Sequence, residues 1–162
     1  MVDETTGASG SEQSIDINNK DADFSSGIAA FEAKNFKQAM QFLLPLAYDG
    51  DAECQHRCAI MYQNGLGTVA NEDKAFEFMY SAANQGHPVA QHGLGFMYME
   101  GECTQKSPQD AVKWFIKAGE QGLVGSLTTL AMMYQEGNGV EKNLDEARRL
   151  YKAAGFEDMQ VE

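Results

Sequence analysis

Beyond about residue 22 the apolar and small positions of this chain return every 36 residues. Ala59, Gly95 and Ala131 fall in register, as do Tyr62, Tyr98 and Tyr134, then Gly65, Gly101 and Gly137. Ala75, Ala111 and Ala147 follow, with Ala39 one period upstream, and Ala82, Ala118 and Ala154 complete the set. Gly50, Gly86 and Gly122 mark the ends of units. The phrases "MYQNGLG", "MYMEGEC" and "MYQEGNG" repeat this spacing in letters. A catalytic motif is needed once; a unit that buries its apolar face only against copies of itself must be written several times.

Each period predicts two helices. The first spans about 52–64, 89–100 and 125–136 and ends at a glycine, the usual helix stop. Gly95 sits inside one of them, where glycine costs about 1 kcal/mol relative to alanine, so close packing of a neighbour is expected there. The second helix has a start signal in every copy: Asn71, Ser107 followed by Pro108, and Asn143 with Glu146 three residues on. The upstream unit, "GIAAFEAKNFKQAMQFLLPLAYDGD", has a shorter link and carries Pro45 inside its second helix, where a kink is expected. No alternating Val/Ile/Thr runs occur, so no sheet is expected. The predicted fold is all-α: a right-handed α-solenoid of about four antiparallel helix pairs over 23–156. Residues 1–22 read as a disordered acidic arm with almost no large apolar side chain, and 157–162 as a tail.

Charge and chemistry narrow the function. A net charge of -12 opposes binding to nucleic-acid phosphates or anionic lipid surfaces. No run approaches the roughly 18 apolar residues of a membrane span, and "MVDETTGASGSEQ" lacks the basic and apolar regions of a secretory signal. Cys54, Cys58 and Cys103 form no disulfide framework. These readings predict a cytoplasmic monomer, or a periplasmic protein if a leader has been removed. No nucleophile elbow, phosphate loop or zinc-protease helix occurs, so neither an enzyme nor a cofactor is expected. Phe42, Phe78 and Trp114 recur on the second-helix packing stripe and read as core.

The pattern "A-x-x-x-L-G-x-M-Y-x-x-G-x-G-V…N-x-x-x-A-x-x-x-x-x-x-A-A-x-Q-G" resembles the Sel-one-like repeat, a relative of the tetratricopeptide repeat. "AQHGLGFMYMEG" with "DAVKWFIKAGEQG", and "LAMMYQEGNGVEKNLDEARRLYKAAG", carry it best, and the resemblance covers about 24–156. The unit before residue 52 looks closer to a plain tetratricopeptide repeat. Cys103 departs from the pattern by replacing the loop glycine kept as Gly67 and Gly139; a positive φ there would strain it. The resemblance implies a protein-interaction scaffold or adaptor, often bacterial, that holds a protein or peptide in a concave groove. It also implies two rivals: a β-lactam-binding or hydrolysing member, whose subgroup carries a cysteine pair in each repeat that is lacking here, and an immunity or inhibitor protein for a toxin.

By the same resemblance the first helix of each pair lines the groove. That assigns Glu53, His56, Ile60, Gln63 and Asn64, then Val89, His92, Phe96, Met99 and Glu100, then Thr128, Met132, Gln135 and Glu136. Phe24, Ile28, Phe31 and Glu32 extend the face upstream. Ile28, Ile60, Phe96 and Met132 share one register and would form an apolar stripe, either open to a partner or packed in the solenoid. His56 and His92, one period apart, would line one wall and alter affinity below about pH 6.5. Two histidines without a carboxylate or thiolate partner are not a closed metal site, and Cys54 and Cys58 share a helix face from which residue 56 points away.

Overall fold

The computed structural model describes residues 17–162, which form eight α-helices and no strand. They are α1 (Ile17–Glu32), α2 (Phe36–Tyr48), α3 (Ala52–Asn64), α4 (Glu72–Asn84), α5 (Pro88–Glu100), α6 (Pro108–Glu120), α7 (Val124–Glu136) and α8 (Leu144–Ala153). Each packs chiefly on its neighbours in sequence, so the chain advances as four helix pairs, as the 36-residue period requires. Helix α1 starts at Ile17, earlier than the position near Asp23 that the sequence suggests, because a helix extends through polar residues once its distal turns are packed. Residues 1–16, the rest of the predicted arm, lie outside the described residues.

Caps set the helix bounds. Asn71, Ser107 and Asn143 each accept a hydrogen bond from the backbone N–H three residues on, at Lys74, Asp110 and Glu146. Asp51 does the same for Cys54, and His87 for Ala90 through its ring nitrogen. Each satisfies one of the donors a helix start leaves orphaned. Gly65, Gly101 and Gly137 close α3, α5 and α7 in the left-handed conformation. Helix α2 continues past Pro45 to Tyr48.

The buried faces follow the repeat. Ala75, Ala111 and Ala147 are fully buried where helices approach, as are Ala59 and Ala131. A Cβ added to Gly95 would lie 2.7 Å from the Phe115 ring, which accounts for glycine in a helix interior. Phe115, not Trp114, takes the fully buried place on α6. Trp114 is half-buried, edge-on to Tyr80 with the Lys117 ammonium 4.7 Å from its centroid. The packing stripe thus runs one residue off the Phe42–Phe78–Trp114 register, and of that set only Phe78 is buried. Cys103 has φ 61, like its counterparts Gly67 (φ 67) and Gly139 (φ 73), so the expected strained geometry is present. The tail also folds back: Val161 is buried against the last repeat, and its carbonyl accepts from Arg148.

Candidate functional site

On the face of α5 and α7, five of the sequence-assigned residues converge. Phe96, Met99, Glu100, Met132 and Glu136 line a cavity of about 340 Å³, joined by Lys106, Thr129, Met133 and Asn138. Its lining mixes the apolar side chains of Phe96, Met99, Met132 and Met133 with two carboxylates and one ammonium. Phe96 and Met132 are 36% and 47% exposed, whereas their counterparts Ile28 and Ile60 are half-buried against the core. The stripe therefore opens to solvent only in its last two units. Phe96 is held in place from behind. Its ring meets Phe115 edge-on at 5.2 Å and His92 at 4.8 Å, and His92 Nδ1 lies 2.7 Å from the hydroxyl of fully buried Ser126. Burial lowers the His92 pKa.

The remaining assigned residues do other work. Gln63 donates to Glu102 at 2.9 Å, tying α3 to the loop after α5. Asn64 donates to the Ile60 carbonyl of its own helix, and Thr128 to that of Val124. Gln135 accepts from the Tyr151 hydroxyl and faces the C-terminal tail. His56 is a correction: it is buried, not on a groove wall. Burial, the neighbouring His87 and the Arg57 charge together push its pKa down to about 4, against the pull of Glu53. With His92 lowered as well, a change of affinity near pH 6.5 loses its basis.

His56 instead stacks on a residue that the repeat pattern did not flag. The His56 and His87 rings lie 4.8 Å apart at 29°, and His87 Nε2 is 2.5 Å from Glu53 Oε2. The other Glu53 oxygen accepts from Arg57 at 2.6 Å, and the Arg57 guanidinium lies over Phe31. Burial works to raise the Glu53 pKa, but hydrogen bonds from His87 and Arg57 outweigh it and hold the carboxyl below its ordinary value.

A glutamine ladder also lies off the apolar pattern, buried at Gln55 and Gln91 and exposed at Gln85 and Gln121. Gln55 donates to the Ala47 carbonyl and accepts from Gln85; one period on, Gln91 donates to the Ala83 carbonyl and accepts from Gln121. The sequence did hold the signal, since Gln55/Gln91 and Gln85/Gln121 keep the repeat spacing.

The repeat architecture is shared with known proteins. The Sel1 repeat model matches residues 52–87, 88–123 and 127–155. The chain belongs to the Sel1 repeat family. A solved Sel1 repeat protein from Oxalobacter formigenes is 33% identical with a TM-score of 0.76, over 81% of this chain and 54% of that one. A protective antigen present in uropathogenic Escherichia coli strains, displaying an SLR fold, is 27% identical with a TM-score of 0.81, over 85% of this chain and 30% of the antigen. This Sel1 repeat chain thus spans about half of the first protein and under a third of the second. Helicobacter pylori cysteine-rich protein B shares the fold at 18% identity, with a TM-score of 0.59 over 78% of this chain and 90% of its own. No curated protein matches. Sel1 repeat proteins generally mediate protein–protein interactions, and their fold is typically a non-enzymatic scaffold. No helix among the described residues is long and apolar enough to cross a membrane.

Proposed function

We propose that this Sel1 repeat chain is an interaction module that holds a peptide segment of a protein partner on the α5–α7 face. One apolar side chain of the partner would seat between Phe96 and Met132. The observation that carries the reading is the cavity of about 340 Å³ lined by Phe96, Met99, Met132 and Met133 together with Glu100 and Glu136. A sulfur-lined pocket adapts its shape to an aliphatic or aromatic anchor, and the net charge of -12 favours basic residues beside that anchor.

The test is an array of short synthetic peptides with one aromatic or aliphatic anchor and basic, neutral or acidic flanks, read by fluorescence polarisation. Basic-flanked peptides should bind tightest and lose affinity with added salt. Met132→Ala and Phe96→Ala should each cost about 2 kcal/mol of binding, and Lys113→Ala on the exposed side of α6 should cost none. Met132 is the cleaner variant, because Phe96 also contacts Phe115. Affinity that is unchanged in Met132→Ala, or lost only in step with thermal stability, would remove this face as the site.

A further inference from the structure

We propose that Glu53, His56 and His87 form a binding site for a divalent transition-metal ion of the zinc class. Glu53 and His56 stand one turn apart on α3, and His87 arrives from the turn between α4 and α5. The site therefore joins α3 to the start of α5 and exists only when one helix pair is stacked on the next. One ligand atom from each residue lies within 4.8 Å of the other two. A carboxylate and two imidazoles are the borderline donors that suit zinc, cobalt or nickel, and they are a poor set for magnesium or calcium, which want oxygen.

A second observation points to a ligand. His56 is more than nine-tenths buried, and its Nδ1 has no hydrogen-bond partner. A buried polar atom left alone is costly, and an ion is one of the few partners that would satisfy it. The surroundings suit that role. Arg57 fixes one Glu53 oxygen and leaves Oε2 turned toward the histidines, the orienting contact that metal ligands usually have behind them. Glu53 and His87 are partly exposed, which leaves an open side for a water ligand.

Binding asks for rearrangement. His87 Nδ1 accepts from Ala90 N–H, so the ring proton sits on Nε2, facing Glu53. An ion at Nε2 takes the place of that proton, which moves to Nδ1 and ends the cap bond. The stacked rings must also fan apart to reach about 2.1 Å from one centre. These changes and the Arg57 charge weaken the site, so it is an exchangeable one rather than a folding staple.

The test is isothermal titration of zinc into the full chain carrying Cys103→Ser, which removes the half-exposed thiol, with cobalt absorption as the second readout. We expect one bound ion, cobalt bands typical of low coordination, and no response to magnesium. His87→Asn keeps a good cap and removes a ligand; Glu53→Gln keeps the shape and removes the charge. Each should weaken zinc binding by at least about tenfold, the loss that even a supporting residue produces, with circular dichroism unchanged. Zinc binding that survives His87→Asn and Glu53→Gln, or no zinc binding at all, would overturn the proposal.

Discussion

Gly95 and Gly139 show how single residues fix a packing distance, the first between the two helices of one pair and the second between one pair and the next. A methyl at Gly95 would press on the buried Phe115 ring, and at Gly139 it would lie 2.5 Å from the Pro108 carbonyl oxygen. Gly95→Ala should therefore cost about 1–3 kcal/mol by overpacking. Gly139→Ala should cost at least as much, since its φ of 73 adds backbone strain; urea unfolding measures both. The helical glycine was legible as a sign of close packing, because nothing else offsets its helix cost. Its contact was not, because the sequence suggests Trp114 rather than Phe115 as the core aromatic of α6. His56 carries a second residue-scale prediction. Its folded pKa of about 4 lies below the ordinary 6.5, so the unfolded chain binds more protons between those values. Stability should fall as pH drops from about 6.5 toward 4, with this residue contributing at most about 1.4 kcal/mol per pH unit. Glu53, whose pKa is also lowered, adds to the loss further into acid. His56→Gln should flatten the slope in denaturant melts taken across this range.

At the scale of elements, the helices were predictable and their ties were not. Predicted spans of 52–64, 89–100 and 125–136 compare with Ala52–Asn64, Pro88–Glu100 and Val124–Glu136, since caps and glycine stops are local chemistry. The glutamine ladder joins the start of one helix pair to the end of the previous one. Removing the amide of Gln91 would leave the Ala83 carbonyl and the Gln121 side chain without it. Gln91→Ala should cost about 1–3 kcal/mol, the usual penalty for orphaned buried polar groups, and should speed hydrogen exchange at the start of α5. Equal exchange in variant and parent would show that the ladder contributes no local stability. The ladder does not reach the fourth pair, where Leu127 stands in the place of Gln55 and Gln91 and packs in the second core cluster instead.

At the scale of the whole described fold, the face of the last helix pair is covered by residues that follow it. At the C-terminal end Val161 packs beside Leu150 and Tyr151 in that second cluster, and Arg148 and Gln135 hold the carbonyls of Val161 and Glu162. Residues 157–162 are therefore more than a trailing tail. Deleting them should lower the melting temperature by several degrees, corresponding to about 1–2 kcal/mol for one buried aliphatic side chain; an unchanged melting curve would show that their packing contributes no stability.

The sequence by itself determined the helix pairs, their number and their register, because a unit that cannot bury its own apolar face must repeat at fixed spacing. It also named most of the cleft, since Phe96 and Met132 share a register. Tertiary structure alone decided which members of that register stay open. Ile60 is covered where Phe96 and Met132 are not, a matter of what the neighbouring helices bring rather than of the residue itself. It likewise decided that His56 meets His87 and Glu53 instead of sharing a wall with His92. His87 lies 31 positions from His56, off the 36-residue period, and only the stacking of one pair on the next brings this turn residue back against α3 of the preceding pair.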